Sequence, residues 1–193
     1  DDAVLVGADY SQIELRLMAH MSGEPFLVEA FRAGQDIHAA TAALVYGVAP
    51  SEVTSDMRRV AKTVNFGLLY GMQAFGLSRD TGLSRAEATK FIEQYWSRLP
   101  RVRSLFDEIL QFGVTHGYVE TMSGRRRSVP DLPSANGARR AAAERVAQNM
   151  PLQGSAADIM KIAMIKLDER LRNERQPARI ILQVHDELVL EVD

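Results

Sequence analysis

The chain has 193 residues, of which 46% are hydrophobic and 25% are charged. This size and composition allow a buried core and exclude a wholly disordered protein. The absence of cysteine excludes disulfides and thiolate metal sites, and the net charge of -2 gives no overall sign of nucleic-acid binding.

The first predicted elements are a strand and a helix. Residues 3–8 form a short apolar run with little alternation, typical of a strand that is covered on both faces or central in a sheet. Asp9 stands where that strand ends. From Ser11 the spacing of apolar residues changes to that of a helix, and we expect Ser11 to lie near its cap.

The long middle of the chain has helical periodicity broken by turns. Residues 54–56, Thr-Ser-Asp, offer a cap for a helix that runs to about Tyr70. The sequence from Ser84 to Glu87 matches a capping box, in which the two side chains bond reciprocally to backbone N–H groups, and predicts another helix start.

The C-terminal third mixes strands and helices. Residues 117–130 are typical of a strand pair that turns at Ser123-Gly124. We predict two helices, at 138–149 and 155–172, separated by Pro151. Residues 179–184 and 187–192 then form two β runs, which predict a hairpin with His185-Asp186 between them.

Two aspartates, Asp9 and Asp186, stand at predicted strand ends. Mg²⁺ takes oxygen ligands, commonly one or two protein carboxylates completed by water and substrate phosphates. Two such ions about 4 Å apart can activate a hydroxyl and stabilise the leaving oxygen in a phosphoryl transfer. Aspartates at strand ends also commonly cap helices or face water, so the pair alone leaves both interpretations open.

Residues 58–71 place two cations and two rings at every fourth position, at Arg58, Lys62, Phe66 and Tyr70. This spacing puts them on one slowly turning stripe of a helix. Cations suit a triphosphate and flat rings suit a base, although a solvated basic helix start with core aromatics fits equally well. Gly67 and Gly71 are costly inside a helix, which suggests a close approach to the backbone.

Three segments occur in an order that resembles the bacterial DNA polymerase I family, or family A. They are DYSQIELR at 9–16, RRVAKTVNFGLLYG at 58–71 and QVHDELVL at 183–190, and they resemble that family's motifs A, B and C. Stretches between them are also similar to the family, so the resemblance covers essentially the whole chain.

The resemblance implies roles for the residues that match. Asp9 and Asp186 would bind two Mg²⁺ ions, which Mn²⁺ could replace, with help from the Tyr10 carbonyl. Glu187 would lie near the primer terminus, and Lys62 would take part in the chemistry. The implied nucleotide-binding residues are Gln12, Glu14, His38, Arg58, Lys62, Phe66 and Tyr70. Among these, His38 would add a phosphate contact, and Glu14 would disfavour a ribose 2′-hydroxyl. The implied DNA-binding residues are Arg127, Arg145, Asn149, Gln153 and His185.

The resemblance also implies an α+β fold, with an antiparallel palm sheet and a mostly helical fingers subdomain inserted between the catalytic strands. The implied division is palm at 1–22, fingers at 23–149 with a nucleotide-binding helix near 56–71, and palm again at 150–193. Thumb and nuclease domains are expected to be absent. We therefore expect the chain to be a fragment that has little activity alone.

The implied activity is template-directed DNA synthesis in replication and repair, with primer-template DNA and dNTPs as partners. We expect a monomer in the bacterial cytoplasm, at the nucleoid. No apolar run approaches the roughly 18 uncharged residues of a membrane span, so no membrane partner is expected. Two other hypotheses remain: a metal-dependent nuclease, which leaves the Arg58–Tyr70 stripe without a role, and a non-catalytic nucleic-acid-binding module.

Overall fold

The computed structural model describes residues 3–192. Its strands are β1 (Val4–Asp9), β2 (Tyr118–Glu120), β3 (Arg126–Ser128), β4 (Ala178–Val184) and β5 (Glu187–Val192). Its helices are α1 (Ile13–Ser22), α2 (Pro25–Arg32), α3 (Ile37–Tyr46), α4 (Ser55–Leu69), α5 (Ala74–Thr81), α6 (Arg85–Arg98), α7 (Pro100–His116) and α8 (Gly137–Asn173), with a 3-10 turn at Pro50–Glu52. The expected α+β class is confirmed.

The larger hydrophobic core lies among the helices. Leu15, Leu27, Ile37, Val64 and Tyr95 come from five different helices and are almost completely buried in it. Burial of apolar side chains is the main favourable contribution to folding, and the helical region has a hydrophobic core of its own.

A three-stranded antiparallel sheet stands apart from that core, in the order β1-β5-β4. On one face, Leu188 and Leu190 of β5 pack against Met160 and its neighbours on α8. The predicted hairpin of β4 and β5 is confirmed, as is the shorter pair β2 and β3.

The prediction that β1 is central or covered on both faces is wrong for the described residues. The strand is at the edge of the sheet, and its Val4 and Leu5 side chains are 60% and 65% exposed. The apolar run reflects strand propensity, and nothing in residues 3–192 packs over these side chains.

The helix cap expected near Ser11 is at Gln12, and α1 begins at Ile13 without a side-chain cap bond. The Tyr10 N–H donates to the Asp186 carbonyl at 3.1 Å, and the Ile13 N–H donates to the Tyr10 carbonyl at 3.2 Å. These bonds hold residues 10–13 in a tight turn that leads into α1.

The two helices predicted on either side of Pro151 are one continuous helix, α8. A proline inside a helix removes one backbone hydrogen bond and costs about 3 kcal/mol. Here Pro151 is buried between Ala147 and Leu152, which are also buried, so tertiary packing offsets that cost. The predicted palm and fingers division stays a prediction, and its boundary at 149 falls within α8.

The helix starts predicted from capping residues are confirmed. The Thr54 hydroxyl accepts from the Met57 N–H at the start of α4, and Ser84 and Glu87 form the reciprocal box at the start of α6. Among residues 3–192, none of the helices combines the length and apolarity needed to cross a bilayer.

Candidate active site

The sheet register brings the two predicted aspartates to the same end of the sheet, where β1 ends and β5 begins. Asp9 pairs with Glu187 across β1 and β5, and the backbone bond from Tyr10 reaches the carbonyl of Asp186. Paired residues of an antiparallel ladder have Cα atoms about 4.5 to 5.5 Å apart. The segments that carry Asp9 and Asp186 are therefore neighbours, although 177 positions separate these residues in the chain.

Gly7 makes room for the Glu187 carboxylate beside these aspartates. A Cβ atom at Gly7 would lie 2.6 Å from Glu187 Oε1, which is closer than real contacts allow. Gly7 was not predicted as part of the site, because a glycine in a strand indicates a close approach but not which group approaches.

A cavity of about 410 Å³ opens where the three motifs meet. Residues from all three motifs and from α8 line it: Gln12, Ile13, Glu14, Phe66, Tyr70, Gln153, Ala156, Ala157, Met160, Gln183, His185 and Asp186. Asp9 and Tyr10 line an adjoining cavity of about 300 Å³ that shares Met160 with the first. The structure thus brings together most of the predicted nucleotide-binding residues, and it adds Gln183, which was not predicted.

Two residues that line the 410 Å³ cavity have a strained backbone conformation. Gln12 and His185 have φ values of 55° and 54°, in the left-handed region that side-chain-bearing residues rarely adopt. The Gln183 amide donates to the His185 carbonyl at 3.0 Å, which supports the hairpin turn. Such strain collects at functional sites because the surrounding structure must enforce it.

Glu14 and Tyr70 form the wall of this cavity together. The Tyr70 hydroxyl donates to Glu14 Oε2 at 2.8 Å, which joins α1 to the end of α4. Burial and the bond to Glu14 raise the pKa of Tyr70, so the phenol keeps the proton that it donates. The Glu14 carboxylate is therefore held in a fixed position.

The predicted stripe on α4 is present, with Arg58, Lys62 and Phe66 on the helix and Tyr70 just after its end. Arg58 forms an ion pair of 2.8 Å with Asp36, whose carboxylate also caps α3 by accepting from the His38 and Ala39 N–H groups. Burial opposes ionisation of Asp36, but the bonds from Ala39 and Arg58 outweigh it and lower the pKa of that carboxyl. Lys62 is exposed, and no carboxylate within residues 3–192 pairs with it.

His38 lies beneath Phe66 rather than at the surface. It is only 3% exposed, its Nδ1 is 3.1 Å from the Asn65 amide nitrogen, and its ring centroid is 5.5 Å from that of Phe66. Burial lowers the pKa of His38 and so favours the neutral ring. The predicted phosphate contact finds no support in this arrangement, because a buried neutral ring offers neither access nor charge. It stays a prediction.

A third cavity, of about 840 Å³, adjoins the 410 Å³ cavity along α8 and shares Tyr70, Gln153 and Ala157 with it. The predicted DNA-binding residues on its walls are Arg127, Arg145, Asn149 and Gln153. His185, the remaining predicted DNA-binding residue, lines the 410 Å³ cavity. The two cavities make one groove with cations along its outer part.

The glycines of the α4 region do permit close approaches, although Gly71 lies beyond the helix rather than inside it. Gly71 has φ of 70°, and a Cβ atom there would lie 2.5 Å from Cγ of Arg145. A Cβ atom at Gly67 would overlap Met72. The groups that approach are side chains of this chain.

Asp36 was missed as a partner of Arg58, as was the role of Asp158, which binds Arg125 and Ser123 on the hairpin of β2 and β3. Asp36 carries a signal, because an aspartate before an apolar run is a good helix cap. A sequence cannot show which distant cation such a carboxylate meets.

The chain is similar to known DNA polymerases over almost its whole length. DNA polymerase I of Deinococcus radiodurans is 54% identical over 99% of this chain, which covers 20% of that protein. The thermostable DNA polymerase I of Thermus filiformis is 56% identical over 98% of this chain, which covers 22% of it. The chain thus spans about a fifth of the length of these relatives.

Among solved structures, the POL domain of Pol1 from M. smegmatis, in complex with DNA primer-template and dNTP, is similar with a TM-score of 0.92. It shares 46% sequence identity, and the match covers 98% of this chain and 33% of that one. The model of DNA polymerase family A matches residues 1–193, and the chain therefore belongs to that family.

Proposed function

We propose that this chain carries the nucleotide-binding and metal-binding parts of a DNA-directed DNA polymerase, which transfers a nucleotide from a dNTP to a primer 3′-hydroxyl under the direction of a template. One observation carries the proposal: the register of β1 and β5 pairs Asp9 with Glu187, the neighbour of Asp186 in the chain, and Asp186 lines a cavity together with Phe66 and Tyr70. Relatives and the similar solved structure bear polymerase names. The bacterial relatives favour a role in replication and repair at the nucleoid, and we propose a monomer.

The oxygen ligands at this end of the sheet suit a hard divalent metal ion. Asp9 and Asp186 supply carboxylate oxygens and Tyr10 a carbonyl that already accepts one bond, from Ile13. Mg²⁺ commonly takes one or two protein carboxylates and completes its shell with water and phosphate oxygens, so these donors suit it. Two Mg²⁺ ions, or Mn²⁺, would activate the primer hydroxyl and neutralise phosphate charge when bound.

The α4 stripe fits a nucleoside triphosphate. Lys62 is exposed one turn before Phe66 on the helix, and Arg58 lies one turn before Lys62. Phosphoryl transfer depends mainly on positioning and charge neutralisation, which these cations supply along the triphosphate. Phe66, supported from beneath by His38, offers its ring to the base.

Glu14 fits a sugar-discriminating role. Its carboxylate is fixed by the Tyr70 hydroxyl on the wall of the 410 Å³ cavity, near Phe66. A deoxyribose would pass this wall, whereas the additional 2′-hydroxyl of a ribose would meet it. Arg127, Arg145, Asn149 and Gln153 along the outer groove would contact backbone and groove features that all base pairs share.

The test uses a complete family A polymerase that carries this segment. Asp9→Asn and Asp186→Asn keep the shape of the side chain and remove the charge, so single-nucleotide incorporation should fall roughly a thousand-fold. Asp168→Asn, also a carboxylate, lies in an ion pair with Arg172 on α8 and serves as the matched control. Turnover within threefold of the parent in either site variant would overturn the metal-binding roles.

A further inference from the structure

A polar cluster at the wall of the 840 Å³ cavity, which Arg125 and Gly154 line, joins the turn between β2 and β3 to α8. The Met122 N–H donates to the Ser155 hydroxyl at 3.0 Å, and the Ser123 hydroxyl donates to Asp158. Arg125 Nη2 lies 3.0 Å from Asp158 Oδ1 and donates to the Gly154 carbonyl at 2.8 Å. We call these contacts the hairpin lock.

The turn lies directly against the helix backbone at this point. A Cβ atom at Gly154 would be 2.5 Å from Cγ2 of Thr121, so a glycine is needed for this depth of contact. The Asp158 side chain is only 14% exposed, less than any other carboxylate that forms an ion pair within residues 3–192. Burial works against its ionisation, but bonds from Ser123, Thr121 and Arg125 outweigh it and lower the pKa of Asp158.

A fixed negative charge beside a groove for phosphates repels the ligand, so its presence needs a reason. The three consecutive arginines supply one, because each has different partners. Arg125 is held by Asp158, and Arg126 turns back to Glu120 at 3.3 Å with its guanidinium over the Tyr118 ring. All three arginines line the outer groove, but Arg127 forms no ion pair within residues 3–192.

We propose that Asp158 is a positioning residue for nucleic-acid binding: through Ser123 and Arg125 it fixes the hairpin on α8 so that Arg127 faces the same duplex as Arg145 and Gln153. The inference rests on the proposed function of the outer groove. It assigns the arginine run two tasks, with Arg125 structural and Arg127 in contact with phosphate.

Asp158→Asn separates this proposal from simple electrostatics by the sign of its effect. Removal of a negative charge near the groove would tighten DNA binding if charge alone mattered. Loss of the lock instead weakens primer-template binding, roughly fivefold in Kd. The nucleotide KM at saturating primer-template stays unchanged, because the α4 stripe is not touched. Measurements use a complete family A polymerase carrying this segment, with Asp168→Asn as the control.

A double-mutant cycle with Arg127→Ala shows whether Asp158 acts through that arginine. If it does, Asp158→Asn has little further effect on DNA affinity in the Arg127→Ala background. An undiminished effect in that background, or unchanged or tighter binding by the single variant, would overturn the proposal. Ser123→Ala, which removes one bond of the lock, should weaken binding in the same direction and covers the case in which Asp158→Asn fails to fold.

Two further variants, Arg127→Ala and Arg145→Ala, test whether the groove binds the duplex at all, independently of the role of Asp158. If neither Arg127→Ala nor Arg145→Ala changes the Kd for primer-template, the groove is not the duplex site and that part of the proposed function fails, along with the inference. If both weaken binding and Asp158→Asn does not, only the positioning role is lost.

Discussion

The helical region and the three-stranded sheet differ in how they use apolar side chains. In the helical region, Leu15, Val64 and Tyr95 are sealed within one core. In the sheet, the inner leucines of β5 meet α8, whereas Val4, Leu5 and Leu182 are exposed. The region with the better core carries the proposed nucleotide-binding helix, and the more open sheet carries the aspartates. The closed core and the proposed metal site thus lie in different parts of the chain.

The largest effect expected from this contrast concerns the free energy of unfolding. Leu15→Ala should destabilise the chain by about 3 kcal/mol, because it opens a cavity in a closed core. Leu5→Ala removes the same atoms from an exposed strand and should cost less than about 0.5 kcal/mol. Urea unfolding of the 193-residue chain measures both. Equal losses would show that the sheet is packed as tightly as the helices.

An intermediate effect concerns the binding of nucleotide by the helical region. Lys62→Ala in a complete polymerase carrying this segment should raise the dNTP KM about tenfold, because an exposed cation next to the triphosphate is lost. Lys90→Ala, an exposed lysine on α6, provides the comparison for loss of charge alone. A KM equal to that of the parent would remove Lys62 from the proposed site.

The smallest effect is a pH dependence of stability that belongs to the helical region. The pKa of His38 is lowered in the folded chain from the ordinary value of 6.5, so below that value the unfolded state binds more protons. The contribution is fully present above pH 6.5 and is lost as the pH falls through the folded pKa. Urea unfolding at a series of pH values should show this loss, and His38→Gln should reduce it. An identical slope in the variant would assign the pH dependence to other groups.

Local signals explain why much of the helical region could be predicted. Thr54 and the Ser84–Glu87 box mark helix starts through bonds made within one turn, so distant residues do not alter them. Pro151 carried an equally clear local signal and gave a wrong prediction, because packing on both sides of α8 outweighs its cost. The cap expected near Ser11 is at Gln12, two residues after the backbone bond from Tyr10 to Asp186.

The candidate site could be predicted as a set of residues, but less well as a set of contacts. The order of the three motifs identified Asp9, Phe66 and Asp186, and the fold brings their segments together. The burial of His38 and the pairing of Arg58 with Asp36 depend on how α3 packs on α4, which is a tertiary property. Exposure of β1 was missed because an apolar run has the same sequence whether or not another layer covers it.

The bond from the Tyr10 N–H to the Asp186 carbonyl has a consequence for how this region tolerates change. It belongs to the main chain, as do the ladder bonds from Val4 to Asp9, so the spacing between the two acidic segments does not depend on any side chain. Neighbouring side chains in β1 and β5 can vary while the two acidic segments keep their backbone spacing. A backbone insertion in either strand would shift the register and part them.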